Sequence, residues 1–385
     1  MKKNVLVNYV EAGMGHITAA MSIAESLKRY HDNTLNIKDA HIFRDSGNKA
    51  LVDFEKYISG HTKSYSKNKY ASDIHHSLME MVGPQRTLKL AHDLWMREAK
   101  KASIDYYRKE SPDIIVTTFF SDAYFAKCYQ KKFNKECKVV TYNPDPDVHG
   151  WWYNETDCFI VNNPVAYKQA IERGFPEENV KQVPFIMRSD IINLNLSKKE
   201  CREKHGIPQD KFVTVLSDSV YGAAKLGIFT DELLKTSEEM VIMPAVCRNE
   251  DLMTRYTDLA TKQPANIDLI PIGFRFDLFE FFKAADVVVA KSGPNTLLDC
   301  GFMGTPVIVN HCATPTEKFS RDLFVHEYGV GESIDDPVAC RKRLETFVAN
   351  PGLLGNYQEN ARKRFDPTKT GGQAIADIIC DLAYN

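Results

Sequence analysis

The sequence predicts an α/β protein made of two doubly wound, Rossmann-like domains that face each other across a cleft. Its 385 residues suit two domains of about 150 residues or more each. In both halves, short Val- and Ile-rich runs alternate with helical patterns. Continuous apolar runs separated by helices are typical of parallel sheets that are covered on both faces.

The predicted elements follow this alternation along the chain. In the first half, strands are predicted at 4–10, 113–119, 138–143 and 157–163, with a helix over about 18–30. In the second half, strands are predicted at 212–217, 240–246, 267–274, 285–293 and 305–311. The alternation stops at a predicted linker near 184–208, and an amphipathic helix is predicted over about 371–382.

These elements predict an N-terminal domain over 1–187 and a C-terminal domain over 188–385. The last helix, about 367–385, either stays with the second domain or packs back on the first. Ligands of such folds bind where the carboxyl ends of the strands meet. We therefore expect the site in the cleft.

Composition and charge exclude several classes of protein. A formal net charge of −2 argues against a general nucleic-acid binder. The nine cysteines contain no C-x-x-C pair, which argues against a zinc site or a disulfide framework. No run approaches the ~20 apolar residues of a membrane span, and the N-terminal apolar stretch lacks a signal-peptide cleavage site. We expect a cytoplasmic protein.

One segment, 49–101, is locally basic. It holds ten Lys and Arg against six Asp and Glu, with Tyr57, Tyr65, Tyr70 and Trp95 interleaved. That composition suits an anionic lipid surface, where each basic side chain contributes on the order of 1 kcal/mol. A solvated helical face is the alternative interpretation.

The stretch EAGMGH at 11–16 lies between the first predicted strand and helix. Glycines at 13 and 15 let the backbone turn and approach a ligand, and the following helix N-terminus favours negative charge. His16 at the helix start could act as a base. The stretch is a phosphate loop, a catalytic corner or only a turn.

A second stretch, AKSGPNT at 290–296, connects a strand to a helix. Ser292 and Gly293 precede the helix N-terminus, which predicts a diphosphate site built from backbone N–H groups and a hydroxyl. Asp299 follows in the first turns and could accept both hydroxyls of a ribose. An ordinary βα unit is the alternative.

Seven stretches together resemble the monogalactosyldiacylglycerol synthases and processive diacylglycerol glucosyltransferases of glycosyltransferase family 28. They are GMGH at 13–16 with Ala19 and Ala20, HGWW at 149–152, CRNE at 247–250, IGF at 272–274, AKSGPNT at 290–296, GTPVI at 304–308 and PTEK at 315–318. The resemblance covers most of the chain. It implies the GT-B fold and transfer of a hexose (galactose, glucose or N-acetylglucosamine) from a UDP-sugar to a lipid such as diacylglycerol.

The resemblance also implies site residues. Around the donor it implies Gly273, Phe274 and Arg275 at uracil, Ser292, Gly293, Thr296 and Arg248 at the diphosphate, Asp299 at the ribose, and Thr316, Glu317 and Lys318 near ribose and sugar. It implies Gly13, Gly15 and His16 at the catalytic corner, and His149 and Trp152 on the acceptor side. The chain departs from the family at SDSVYGAAK (217–225), which retains only Gly222 of a glycine-rich loop. It also departs at NPDPD (143–147), where the family's carboxylate has moved to Asp145 or Asp147 or been lost.

The hypothesis from these observations is inverting sugar transfer. His16, or alternatively Asp147 or His149, removes the acceptor proton, and a helix N-terminus with Arg248 or Lys291 stabilises the leaving diphosphate. We expect no metal or other cofactor, and peripheral association with the inner face of the membrane. A UDP-sugar 2-epimerase and a catalytically degenerate UDP-sugar-binding protein are the alternatives.

Overall fold

The structure is a computed structural model, and it describes residues 2–11, 14–65, 85–218 and 224–384. The chain forms two compact units. One consists of Met1–Ile192 with Thr368–Asn385, and the other consists of Asn193–Pro367.

The first unit contains a six-stranded sheet. Its strands are β1 (Lys3–Asn8), β2 (Leu35–Ala40), β3 (Ile114–Thr117), β4 (Lys138–Tyr142), β5 (Cys158–Val161) and β6 (Val180–Gln182). They run parallel in the order β2-β1-β3-β4-β5-β6. The strand order reverses between β1 and β3, which is where ligands bind in doubly wound sheets.

The helices of the first unit flank this sheet. They are α1 (Met14–His31), α2 (Ile42–Asp45), α3 (Lys49–Tyr65), α4 (Gln85–Trp95), α5 (Arg97–Glu110), α6 (Phe120–Phe133), α7 (Pro164–Glu172), α8 (Ser189–Ile192) and the last helix of the chain, Gly372–Tyr384, with a 3₁₀ turn at Glu177–Asn179. Apolar side chains fill both faces of the sheet, as covered parallel sheets require.

The second unit contains a seven-stranded sheet. Its strands are β7 (Phe212–Ser217), β8 (Met240–Cys247), β9 (Ile267–Leu269), β10 (Ile272–Gly273), β11 (Val287–Lys291), β12 (Val307–His311) and β13 (Gly331–Ser333). Six run parallel in the order β10-β8-β7-β11-β12-β13, and β9 pairs with β8. Here the order reverses between β7 and β11.

The helices of the second unit also flank its sheet. They are α9 (Lys198–His205), α10 (Ala224–Leu233), α11 (Glu250–Ala260), α12 (Leu278–Ala284), α13 (Pro294–Met303), α14 (Pro315–Arg321), α15 (Pro337–Ala349) and α16 (Gly355–Arg364), with a π-helix at Asp322–Glu327 and 3₁₀ turns at Pro351–Leu354 and Pro367–Lys369. We number the last helix of the chain, Gly372–Tyr384, α17. The predicted α/β class with two parallel sheets is confirmed.

Helix α17 packs in the first unit, against α1. Its residues Ile375, Ala376 and Ile379 are buried among the side chains of α1 and the sheet. The N–H of Gly371 donates a hydrogen bond to the carbonyl of Phe185 at 3.0 Å. The chain therefore leaves the first unit after α8 and returns to it for its last helix.

Helix α9 lies inside the segment predicted as a linker. Ser197 caps its first turn, and Glu200 completes a capping box. Arg202 is buried, and it donates to the carbonyl of Ala284 at 2.8 Å and to the carboxylate of Asp286 at 2.8 Å. The segment from 198 onward is therefore part of the second unit.

Candidate functional site

His16 lies in the first turn of α1, directly beyond the carboxyl end of β1. Its Nδ1 is 2.6 Å from the carbonyl oxygen of Thr118, which follows β3. A carbonyl oxygen only accepts, so Nδ1 carries the proton and the neutral ring keeps a lone pair on Nε2. Burial lowers the pKa of His16, although the bond to Thr118 opposes this shift. The ring is therefore neutral at pH 7.

His149 has the opposite arrangement. The backbone N–H of Trp151 donates to Nδ1 of His149 at 3.3 Å. Because Nδ1 accepts this bond, the proton of the neutral ring is on Nε2. In this state Nε2 of His149 carries the proton, so it cannot remove one from a substrate. The two histidines are thus set up for different tasks.

An aromatic pair at the start of α6 brings the two histidines to one edge of the sheet. The Phe119 and Phe120 rings are 4.4 Å apart between centroids. The His16 ring meets Phe119 edge-on at 5.4 Å, and the His149 ring meets Phe120 edge-on at 5.5 Å. The structure therefore brings together two of the predicted catalytic residues.

The loop at 143–147 carries two aspartates, and asparagines at the strand ends hold its backbone. The amide of Asn143 donates to the carbonyl of Asp147 at 2.8 Å, and that of Asn162 donates to the carbonyl of Asp145 at 3.0 Å. Burial raises the pKa of Asp145 to about 6. Asp145 is thus a second titratable group at this edge, and Asp147 is held two residues away.

Trp152, a predicted acceptor-side residue, is buried in the core. Its side chain is 1% exposed and packs in a core cluster with Val148 and Phe159. One face of the ring stacks on His149 at 5.6 Å. Trp152 therefore supports His149 from within the core, and its place on the acceptor side stays a prediction.

A buried polar network lies beneath the same edge and was missed in the sequence. Asn8, at the end of β1, donates to the hydroxyl of Tyr107 at 2.8 Å and to the carboxylate of Asp122 at 3.2 Å. The Tyr107 hydroxyl also donates to Asp122. Burial raises the pKa of Asp122 despite these bonds. The sequence did carry a signal for this network, because Asn8 is a polar residue at the end of an otherwise apolar run.

In the second unit, helix α13 begins at the carboxyl end of β11. Gly293 is the N-cap residue and Pro294 the first helical residue, and no side chain in the described part of the chain caps this end. The N–H groups of Asn295 and Thr296 in the first turn therefore remain available for an anion. Asp299 lies one turn further along this helix, half-buried.

Ser292, which the sequence predicts at the diphosphate, is held inside the fold. It is fully buried, its N–H donates to the carbonyl of His311 at 3.1 Å, and its hydroxyl is 3.3 Å from the same oxygen. Because both donors are used inside the fold, Ser292 shapes the turn between β11 and α13. The predicted role of its hydroxyl at a diphosphate stays a prediction.

Lys291 and Glu317 form a buried ion pair across the ends of β11 and α14. Nζ of Lys291 is 2.7 Å from Oε1 of Glu317, and the N–H of Ala313 donates to Oε2 at 2.6 Å. Burial alone would raise the pKa of Glu317, but the Lys291 ammonium outweighs it and the pKa is lowered. Burial alone would lower the pKa of Lys291, and Glu317 reverses that shift too.

Arg248 follows the end of β8, where Cys247 has a left-handed backbone with φ of 53°. Such a conformation is uncommon for a non-glycine residue and often marks a functional site. The Arg248 guanidinium lies 4.2 Å from the centroid of the Phe274 ring. Two predicted donor residues, Arg248 and Phe274, are thus in contact.

Arg275 points away from this pair. Its guanidinium binds the carboxylate of Asp277 at 2.5 and 2.7 Å and lies 4.3 Å from the Phe281 ring centroid. Of the residues that the structure describes, His205, Asp277 and Glu280 could hold a metal ion, since their ligand atoms lie within 4.8 Å of one another. His205 already bonds Glu280 at 2.7 Å, and Arg275 lowers the pKa of Asp277. We interpret the group as ion pairs.

Asp218 follows β7 and stands at the reversal point of the second sheet. Its side chain is 1% exposed, and burial raises its pKa to about 6. His311 Nε2 is 3.7 Å from the carboxylate, too far for a hydrogen bond. Burial lowers the pKa of His311 to about 4, so this ring is neutral at pH 7. Sequence reasoning did not select either residue.

The remaining predicted residues divide into two groups. Gly273, at the end of β10, and Gly15, Thr316 and Lys318, in the first turns of α1 and α14, are half-buried. Gly13 and Gly222 lie outside the described residues. The roles of all these residues stay predictions.

Two curated relatives match nearly the whole chain. A processive diacylglycerol β-glucosyltransferase of Bacillus licheniformis is 21% identical over 378 residues, which cover 98% of this chain and 94% of that one. A probable chloroplastic monogalactosyldiacylglycerol synthase 2 of Oryza sativa subsp. indica is 23% identical over 396 residues, covering 99% and 80%. The chain is thus similar over nearly its whole length to diacylglycerol glycosyltransferases. No protein-family model matches it.

Comparison with solved structures shows the fold of this chain. Acinetobacter baumannii MurG has a TM-score of 0.60 at 13% identity, covering 98% of this chain and 99% of that one. A UDP-GlcNAc 2-epimerase from Neisseria meningitidis has a TM-score of 0.61 at 12% identity, covering 99% of each. Both likenesses establish the GT-B fold and, at such identities, nothing finer. The predicted resemblance to diacylglycerol glycosyltransferases and the predicted GT-B fold are confirmed.

Proposed function

We propose that this protein is an inverting glycosyltransferase that moves a hexose from a UDP-sugar to the hydroxyl of a lipid such as diacylglycerol. The observation that carries the proposal is the similarity, over nearly the full length, to two kinds of diacylglycerol glycosyltransferase. The fold alone does not choose between transfer and epimerisation, because a 2-epimerase is as similar in structure as MurG.

The first unit supplies the base in this proposal. Thr118 orients His16 so that the Nε2 lone pair is available, and burial keeps the ring neutral. The acceptor hydroxyl gives its proton to Nε2 while its oxygen attacks the anomeric carbon. Such positioned proton transfer contributes roughly 10²–10⁴ to the rate. His149 is assigned to hydrogen bonding of the acceptor, since its Nδ1 is already occupied.

The second unit supplies the donor site in this proposal. As the bond to the anomeric carbon breaks, the diphosphate leaves with the electron pair. The first-turn N–H groups of α13 and the guanidinium of Arg248 stabilise the developing charge. Lys291 stabilises the leaving diphosphate less than the sequence suggested, because the carboxylate of Glu317 already neutralises its ammonium group. We propose that these groups suffice without a metal ion, so EDTA should leave the rate unchanged.

We further propose that the first unit docks on the inner face of an anionic membrane. Helix α4 exposes three large apolar side chains: Leu90, Leu94 and Trp95 are 58%, 67% and 81% exposed. A Trp beside Leu residues on one exposed helical face is typical of interfacial helices. None of the described helices is both long and apolar enough to cross a bilayer. Residues 66–84 of the basic segment lie outside the description.

The test is a product assay with lipid vesicles. UDP-glucose, UDP-galactose and UDP-N-acetylglucosamine are offered separately with diacylglycerol, and glycolipid and UDP are measured together. We expect stoichiometric glycolipid and UDP only when diacylglycerol is present. Isomerised UDP-sugar without UDP release would establish the epimerase instead, and binding without any turnover would establish a degenerate protein.

A further inference from the structure

Asp218 is a buried carboxyl group with no hydrogen-bond partner among the residues that the structure describes. Its side chain is 1% exposed, and neither of its carboxyl oxygens has a partner within the described residues. A buried acceptor in this state destabilises the fold, because its hydrogen bonds to water are lost on burial and no hydrogen bonds within the protein replace them. Such a group needs an explanation other than stability.

The neighbours of Asp218 explain why the fold cannot satisfy it. Lys291 is held by Glu317 at 2.7 Å. The Nδ1 of His311 is 2.8 Å from Oδ1 of Asn310, so the proton of this neutral ring is on Nδ1 and Nε2 has none to offer Asp218. Lys225 and the backbone N–H of Leu226 favour the ionised carboxylate, but neither meets the geometry of a hydrogen bond to it, and burial prevails.

The position of Asp218 points to a ligand. Strand β7 pairs with β8 on one side and β11 on the other, so its end lies where the strand order reverses. Ligands of doubly wound sheets bind at this point. The start of α13, which offers free N–H groups, follows the neighbouring strand β11.

The chemistry of the carboxylate selects the part of the ligand that it meets. An ionised carboxylate only accepts hydrogen bonds, and it repels a diphosphate. In a nucleotide-sugar, sugar hydroxyls are the donors that can reach a strand end beside the diphosphate. We propose that Asp218 binds a sugar hydroxyl of the donor and thereby contributes to its selection. This inference rests on the function proposed above and assigns the residue within that site.

The experiment compares ligand binding by the full-length wild type, Asp218→Asn and Asp218→Ala, using calorimetry with UDP, 2′-deoxy-UDP and UDP-glucose. We expect Asp218→Ala to weaken UDP-glucose binding at least about tenfold. If the hydroxyl belongs to the hexose, UDP affinity stays unchanged. If it belongs to the ribose, UDP affinity falls as well, and 2′-deoxy-UDP then becomes insensitive to the substitution for the 2′-hydroxyl but stays sensitive for the 3′-hydroxyl. Asp268→Ala is the matched control, because that carboxylate pairs with Lys211 on another strand.

Thermal unfolding separates this role from a structural one. Removing an unsatisfied buried carboxylate should leave the melting temperature unchanged or raise it. Unchanged or tighter UDP-glucose binding by both variants would overturn the inference, as would a lower melting temperature with unchanged affinity. A wild-type protein that binds neither UDP nor any UDP-sugar would instead overturn the proposed function itself.

Discussion

His16 shows how one hydrogen bond can decide the role of a residue. The sequence places a histidine at a helix start, where it is equally compatible with a base and with a structural group. The carbonyl of Thr118, which lies 102 residues further along the chain, accepts from Nδ1 and leaves Nε2 with its lone pair. The contrasting bond at His149 gives that ring the other tautomer.

We predict that His16→Ala lowers turnover at least about a hundredfold while UDP binding stays within a few fold. The proton acceptor is lost, but the diphosphate site in the other unit remains. Single-turnover kinetics and calorimetry measure the two effects. His149→Ala is the matched control, and we expect it to raise KM more than it lowers kcat.

The pH profile gives a second readout for His16. A base works only when unprotonated, so activity falls as pH drops through its pKa. Because burial lowers the pKa of His16, this acidic limb should lie below the ordinary histidine value of about 6.5. The limb should vanish from the residual activity of His16→Ala. An unchanged limb, or wild-type turnover by the variant, would transfer the role to another group such as Asp145.

Among the elements, α4 combines burial and exposure on different faces. His92 is buried, and its Nε2 lies 3.1 Å from the hydroxyl of Ser121, which anchors the helix to α6. Leu90, Leu94 and Trp95 project to solvent from the other side. An element that is anchored in this way can present apolar side chains without unfolding.

We predict that Leu94→Ala with Trp95→Ala reduces binding to anionic vesicles at least about tenfold, because burial of each large apolar side chain contributes roughly 1.5–3 kcal/mol. Sedimentation with phosphatidylglycerol vesicles measures the effect. Leu353→Ala, which removes an exposed leucine of the second unit, is the matched control. Equal sedimentation of the variant and the control would contradict a membrane role for α4.

The strands that the sequence analysis missed share a physical cause. Strand β2 lies at the edge of the first sheet, and its middle residues are exposed or half-buried. Strands β6 and β13 are three residues long and also form edges. Edge strands are covered on fewer sides, so they lack the continuous apolar run that marks central parallel strands. The predicted strand 267–274 is in fact two short strands, β9 and β10.

At the scale of the whole molecule, the chain begins and ends in the same unit. The turn before α17 fits because residue 371 is glycine. A Cβ at this position would lie 2.1 Å from the carbonyl oxygen of Pro184. Helices α1 and α17 are also joined by a polar contact, in which Nε2 of His31 lies 2.7 Å from Oδ1 of Asp377.

We predict that Gly371→Ala destabilises the first unit by about 1–3 kcal/mol, because the backbone must shift to relieve the overlap. Denaturant unfolding, with tryptophan fluorescence reporting on the first unit, measures the change. Gly352→Ala is the matched control in the second unit, since its Cβ would have open space. Identical midpoints for the two variants would show that α17 adjusts without cost.

The sequence by itself determined the two parallel sheets, most of their central strands, and the polar residues that follow several strand ends. These features depend on local patterns, namely continuous apolar runs and the turn residues between them. Motifs such as AKSGPNT at 290–296 added a resemblance to diacylglycerol glycosyltransferases, and two relatives that match nearly the whole chain support it.

Only the tertiary structure decided which of those residues are free to act. It buried Trp152 and Ser292, paired Lys291 with Glu317, and set opposite tautomers at His16 and His149. It also left Asp218 without a hydrogen-bond partner among the described residues. The physical reason is that the burial and hydrogen bonding of a side chain depend on residues far away in sequence. The spacing of residues along the chain does not reveal which of those residues become its neighbours.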